Sequence, residues 1–318
     1  MERILITPRG FAKYGQECKK LMESKGYILD INDTGQPLSK SVFIEKAKLA
    51  NGIIVGVDSL DKDVIEQCKN LKVIVKFGVG TDNIDLLTCR ERNIKVGRCI
   101  GTNSNAVAEH TIGLMFAASK NIVSNVMEVK NGKWVKPTGS ELLGKTVGII
   151  GFGNIGKNVA RIAAGIGMTV KGFDLFGISE EDQKKYCVEF QSVDEILKSC
   201  DFITLHIPLS PETKDFISTK EFKIMKKTAI LINSARGGIV DEEALYFALK
   251  NKEIAACASD VFTDEPPKNE GWVADLIKMD NFLLTAHIAS RSKEAEINTV
   301  NVATDTIIKL LEENGGND

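Results

Sequence analysis

No Cys-x-x-Cys pair occurs among the seven cysteines, which are odd in number and widely spaced, so neither a disulfide framework nor a zinc site is indicated. No apolar run approaches the roughly 18 residues that a membrane span requires. The N-terminal run Ile4-Leu5-Ile6 is cut at Pro8, too short for the apolar region of a signal peptide. Charge of one sign is missing as well. The net charge is −2 and the lysines are scattered among acids, which leaves no basic face for a phosphate backbone. The expected setting is therefore cytoplasmic, with reduced thiols, no metal, no membrane and no nucleic-acid partner.

What is present is an ordinary globular composition over 318 residues, more than one core usually serves, so two domains are expected. Up to about residue 100, short apolar runs alternate with amphipathic stretches: Ile4–Ile6, Tyr27–Leu29, Ile53–Val55, Val73–Val75 and Ile94–Val96. That alternation predicts a parallel sheet with covering helices, here of five strands. A second alternation predicts six strands, at Thr146–Ile150, Thr169–Phe173, Phe202–Leu205, Ala229–Ile232, Ala255–Asp260 and Phe282–Thr285. Between the two lies a stretch from Asn103 to about Asn131, opening on Asn-Ser-Asn capping chemistry and apolar on most of its circumference, which predicts one long buried helix. Ala295–Leu311 predicts an amphipathic helix returning to the first domain, and the last six residues, 313–318, are expected to be disordered. The fold class is thus α/β, with two parallel-sheet domains, one flavodoxin-like (1–102 with 288–318) and one Rossmann-like (103–287).

Gly151-Phe-Gly153-Asn-Ile-Gly156 gains weight from its context, because it directly follows an apolar strand, opens a helix to about Ala164, and is followed by an acid, Asp174, at the end of the next strand. The glycines serve the tight turn, the approach of a pyrophosphate and helix-to-strand packing, while the helix N-terminus offers N–H groups to the phosphates. Asp174 can accept hydrogen bonds from both ribose hydroxyls of NAD. Against the 2′-phosphate of NADP, two like charges ~4 Å apart would repel by roughly 4 kcal/mol at an effective dielectric near 20.

Three further segments end strands of the second half: Asn233-Ser-Ala-Arg236-Gly-Gly, Asp260-Val-Phe-Thr-Asp-Glu265-Pro-Pro, and Thr285-Ala-His287-Ile. In these segments, and over nearly its whole length, the chain resembles the D-isomer-specific 2-hydroxyacid dehydrogenase family, which includes phosphoglycerate dehydrogenases and glyoxylate/hydroxypyruvate reductases. The resemblance implies a catalytic trio of Arg236, Glu265 and His287. An imidazole suits the removal of a hydroxyl proton as hydride leaves C2, a neighbouring carboxylate fixes its tautomer, and a guanidinium can clamp the substrate carboxylate in two charge-assisted bonds. It further implies dinucleotide contacts at Gly151, Gly153, Asn154, Ile155, Gly156, Asp174, His206, Ser234, Ala235, Arg236, Asp260 and His287, with NAD as cofactor. Lys76-Phe77-Gly78-Val79-Gly80 resembles the family's substrate-carboxylate loop, which implies contacts at Gly78, Val79 and Gly80 besides Arg236. An active site in a cleft between the domains, and a homodimer built on the central helix, are also implied.

Candidate substrates are small 2-hydroxy or 2-oxo acids, 3-phosphoglycerate among them, and a second anionic group would need its own cations; Arg9, Lys13, Lys76 and Arg98 are the candidates. Arg291 stands where the family is expected to carry a small residue. His110, inside the apolar helix, reads as a packing or hinge residue. The alternative function is that of an NAD-sensing, corepressor-like binding protein, and the complete Arg236, Glu265 and His287 set favours the enzyme.

Overall fold

A computed structural model describes residues 1–315, with side chains to residue 313. Within it the chain divides into two compact units, one formed by Met1–Asn103 with the stretch that begins at Arg291, the other by Ser104–Ser290.

The first unit holds five parallel strands, β1 (Arg3–Ile6), β2 (Ile28–Ile31), β3 (Gly52–Val55), β4 (Val73–Lys76) and β5 (Lys95–Arg98), in the order β2-β1-β3-β4-β5. This is the flavodoxin-like order. Successive side chains point to opposite faces, and both faces are buried: Leu5, Ile53, Val55 and Ile74 enter one core, Ile4, Ile6, Ile54, Val73 and Val75 the other. The second of these cores is closed by the C-terminal helix Lys293–Gly315 through Val300, Ala303, Ile307, Ile308 and Leu311. At Gly97 a Cβ would lie 2.5 Å from Thr306 Cγ2, so the helix approaches β5 only because glycine stands there. The predicted return of this helix is thus observed, but it runs on to Gly315 rather than giving way at residue 313; the expectation for 316–318 lies outside the described residues.

The second unit holds β6 (Thr146–Ile150), β7 (Thr169–Phe173), β8 (Val188–Phe190), β9 (Phe202–Leu205), β10 (Ile230–Asn233), β11 (Ala256–Ser259) and β12 (Phe282–Leu284). They form one parallel sheet in the order β12-β11-β10-β9-β6-β7-β8, the dinucleotide-binding arrangement with one strand added. Seven strands stand where six were expected. The extra one, β8, is a three-residue edge strand that pairs only with β7 and follows Cys187, whose backbone is left-handed at φ +50°. The helix expected over 103–131 is two helices, Ser104–Ser119 and Ile122–Lys130, interrupted at Asn121 with φ +55°. The first is buried in the unit's core, whereas the second has no buried residue. Asn103 makes no cap with its side-chain oxygen, which is buried without a partner.

Strand register fixes where the functional residues fall. The partners Phe173, Ile150, Leu205, Asn233, Ser259 and Leu284 form one row across six strands. The next residue of each strand is Asp174, Gly151, His206, Ser234, Asp260 and Thr285, all at the carboxyl edge, where open α/β sheets bind ligands.

Candidate active site

The glycine turn leaves β6 and enters the helix Asn154–Gly165. Gly151 has φ +97°, and a Cβ there would lie 2.5 Å from the His206 carbonyl oxygen; at Gly156 it would lie 2.2 Å from the Gly151 carbonyl oxygen. At Gly153 it would meet nothing within 4 Å. Two glycines therefore permit close packing, while the third leaves room above the turn. No side chain caps the helix, so its N-terminal N–H groups remain available to an anion. These features fit the pyrophosphate of NAD. Asp174 accepts from the backbone N–H of Phe152 (2.8 Å) and of Phe176 (3.1 Å), which ties the acid at the end of β7 to the turn at the end of β6.

Around Arg236 the backbone is folded by Asn233, whose side chain accepts from Ala235 N–H (3.1 Å) and donates to the Arg236 carbonyl (3.0 Å). The guanidinium donates to the Ala235 carbonyl at 2.7 Å. Next in the chain, Gly237 packs so closely on Phe262 that a Cβ would lie 2.1 Å from its carbonyl oxygen. Phe262 in turn donates its N–H to Glu265 Oε1 (3.1 Å), leaving Oε2 to meet His287 Nδ1 at 2.8 Å. Arg236, Glu265 and His287 thus come from three consecutive strand ends joined by packing and hydrogen bonds. His287 and Glu265 are well exposed, with side chains 47% and 40% accessible.

A second pair, His110 with Asp260, stands beside these loops; the sequence named its members separately but did not pair them. Asp260, 1% exposed, accepts from the Thr285 hydroxyl, from Ile288 N–H (2.9 Å) and from Ala289 N–H (2.8 Å). Its backbone carbonyl also accepts from His287 N–H at 2.9 Å. Burial would push the Asp260 carboxyl up, but the hydrogen bonds from His110, Thr285, Ile288 and Ala289 outweigh it and hold the group below the usual carboxylate range. The loop clamped in this way contains His287 with φ +51°, a left-handed conformation that side chains other than glycine adopt at a cost of about 1–3 kcal/mol. His110 Nε2 lies 3.1 Å from Thr285 Oγ1 and 3.4 Å from Asp260 Oδ1, so this histidine is a member of the network rather than a packing residue alone. The only sequence signal for Thr285 was its place two residues before His287.

Of the other expected contacts, Ser234 is buried with its hydroxyl 2.6 Å from that of Thr111, and Ala235 is buried beside it. Asn154 and Ile155 form the first turn of the helix. His206 faces inward: Nε2 lies 2.9 Å from the Thr204 hydroxyl, Nδ1 is buried without a partner, and burial pushes the ring down to about 3. In the first unit, Gly78 has φ +146°, and the N–H groups of Val79 and Gly80 have no partner among the described residues. Lys76 is committed, its ammonium donating to the Gly56 carbonyl (2.6 Å) and to Asn83 Oδ1 (2.7 Å).

Residues 112–289, which include the glycine turn and the whole trio, match the family described as D-isomer specific 2-hydroxyacid dehydrogenase, NAD binding domain. The chain belongs to this family. It is 38% identical over 98% of its length to a D-3-phosphoglycerate dehydrogenase of Methanocaldococcus jannaschii, of which it spans 58%. It is also 38% identical over 94% of its length to a hydroxypyruvate reductase of Thermotoga maritima, of which it spans 95%. Among solved structures, the pyruvate reductase of Chlamydomonas reinhardtii superposes with a TM-score of 0.84 at 27% identity, covering 98% of this chain and 97% of that one. As a member of the 2-hydroxyacid dehydrogenase family the chain carries an NAD-binding domain in its second unit. Among the described residues no helix is long and apolar enough to cross a membrane.

Proposed function

We propose that the protein is an NAD-dependent D-2-hydroxyacid dehydrogenase that moves a hydride between the nicotinamide ring and C2 of a small 2-hydroxy or 2-oxo acid. The observation that carries this reading is the 2.8 Å contact between Glu265 Oε2 and His287 Nδ1. A carboxylate on Nδ1 keeps the proton on that nitrogen and presents Nε2 as the lone-pair nitrogen, the form a general base needs. In oxidation, Nε2 takes the hydroxyl proton while Glu265 stabilises the imidazolium that forms. In reduction, the protonated ring returns that proton to the oxygen developing negative charge at C2. Bound NAD supplies the acceptor for the hydride. Arg236 binds the substrate carboxylate and polarises the adjacent carbonyl; Gly78, Val79 and Gly80 keep their proposed role as substrate-binding residues, with the N–H groups of Val79 and Gly80 open to an anion.

For the cofactor, Gly151, Gly153, Asn154, Ile155 and Gly156 hold the pyrophosphate, and Asp174 reads the ribose. Contacts from His206, Ser234, Ala235, Arg236, Asp260 and His287 complete the proposed set. The reading includes a homodimer. Its support is the helix Ile122–Lys130, which exposes Ile122, Val123, Val126 and Met127 in one patch close in sequence to Trp134, 80% exposed; monomers rarely leave such a patch uncovered. A cytoplasmic setting is also part of it, supported by seven cysteines that are all free thiols.

The test is oxidation of NADH at 340 nm, beside NADPH, against glyoxylate, pyruvate, hydroxypyruvate, phosphohydroxypyruvate, sulfopyruvate and branched 2-oxo acids. Turnover of one of them with NADH is expected. Tight NADH binding with no turnover across the panel would favour the NAD-sensing binding protein instead.

A further inference from the structure

The turn that carries Glu265 has little support of its own. Thr263, Asp264, Glu265 and Pro266 are all exposed, and among the described residues no backbone–backbone hydrogen bond holds Thr263, Asp264 or Glu265. The bond from the Phe262 N–H to Glu265 Oε1 is internal to the turn. Thr263 is tied instead to an acid from another segment of the same unit. Glu242 Oε1 accepts from the Thr263 N–H at 2.8 Å and from the Thr263 hydroxyl at 3.0 Å.

Glu242 is a firm base for such a tie. It is the first residue of the helix Glu242–Lys250, whose N-cap Asp241 accepts from the Ala244 N–H (3.0 Å) and from the Ser218 hydroxyl (2.8 Å). Ala244, Leu245, Tyr246, Ala248 and Leu249 hold this helix in the core, and its N-terminus favours a carboxylate at that position. The acid also stands where two strand-end loops meet. A Cβ on Gly237 would lie 2.5 Å from the Thr263 nitrogen, and Gly238 follows with a left-handed backbone at φ +76°. Burial pushes the Glu242 carboxyl up, against the pull of the Thr263 N–H and hydroxyl and of the Gly238 N–H. A half-buried carboxylate needs such donors, and here they come from both loops, the one that presents Arg236 and the one that presents Glu265.

Glu265 acts on His287 through a single contact of 2.8 Å, and a displacement of about 1 Å can lower a rate ~10²-fold. A turn released at Thr263 would carry Glu265 away from Nδ1. We infer that Glu242 is a positioning residue of the reaction: from the start of its helix it holds Thr263, and through Thr263 the turn that presents Glu265 to His287. This role rests on the dehydrogenase reading above. Glu242 takes no proton itself and acts only through the placement of Glu265.

The experiment compares the wild type with Glu242→Ala, Glu242→Gln and Glu243→Ala, reading kcat and KM for the 2-oxo acid of the panel that turns over fastest with NADH. Glu242→Ala is expected to lower kcat at least ~10-fold with KM changed less than ~3-fold, because the proton-transfer pair is displaced while Asn233 still folds the backbone at Arg236. Glu242→Gln keeps an acceptor oxygen for Thr263 and should retain most of the wild-type kcat. Glu243→Ala removes a like charge from the same helix end, at an exposed side chain outside the tie, and should leave kcat unchanged. Equal kcat in Glu242→Ala and the wild type, or equal losses in Glu242→Ala and Glu243→Ala, would overturn the role. Hydrogen exchange at the Phe262 amide, which donates to Glu265, needs no turnover and so keeps the two readings apart. In Glu242→Ala it should quicken at least ~10-fold while the buried helix Ser104–Ser119 stays protected. That result supports the tie even if no acid is reduced. An unchanged Phe262 rate, or loss of protection throughout the unit, overturns it.

Discussion

Two histidine–carboxylate pairs stand in the same unit, and they differ in nearly every physical respect. His287 and Glu265 meet at 2.8 Å with both side chains well exposed, whereas His110 lies 3.4 Å from an Asp260 that is 1% exposed. Glu265 spends one oxygen on the Phe262 N–H and the other on the imidazole. Asp260 spends its oxygens on a hydroxyl and two backbone N–H groups, and so holds the loop. The same chemical pair can thus stand open to a ligand in one place and closed within the architecture in another. The closed pair sets the left-handed backbone at His287 on which the open one depends.

The largest effect should come from His287→Ala, expected to lower turnover by about 10²–10⁴ while NADH binding, read by fluorescence titration, changes little. If turnover survived, the open pair would lose its distinction from the closed one. Asp260→Asn should act on the fold instead. It removes a buried charge from donors that would then face an amide, at a cost of about 2–4 kcal/mol, visible as a lowered Tm. Because the Asp260 carboxyl is held below its unfolded value, its contribution is present above roughly pH 4 and is lost as pH falls through the folded value. In Asp260→Asn that acid limb of the stability profile should be flattened.

Smaller changes sharpen the contrast further. His110→Gln is expected to reduce turnover by less than about 10-fold, with a modest loss of Tm, because Thr285 and two N–H groups still clamp the loop. A loss as large as that of His287→Ala would put His110 in the chemistry. The third histidine, His206, is half-buried, and desolvation of its ring pushes it down to about 3, below an unfolded value of about 6.5. Its contribution is therefore complete above about pH 6.5 and is lost as pH falls toward 3. His206→Gln, which can still bond Thr204, should make thermal stability less steep over that interval.

Hydrophobic alternation made five strands of one sheet and six of the other legible, because parallel strands buried on both faces read as short continuous apolar runs. Val188–Phe190 escaped because a three-residue edge strand has too short a pattern to stand out from its polar flanks. The break at Asn121 escaped because apolar residues continue on both sides of it, and only the left-handed backbone separates the helices. Strand-end motifs also marked Arg236, Glu265 and His287 as candidates, and the structure brings the last two into contact. The clamp of Asp260 and Thr285 on the His287 loop was not legible, since it joins β11 to β12 through side-chain bonds that no spacing encodes.

The proposed reaction is a direct hydride transfer between the nicotinamide ring and C2, and NADH carrying deuterium at C4 tests it. With the best 2-oxo acid from the panel, both C4 positions of the cofactor are labelled and the product is analysed by NMR and chiral chromatography. One deuterium at C2 of a product of D configuration is the predicted result. Product free of deuterium, or a racemic one, would contradict it.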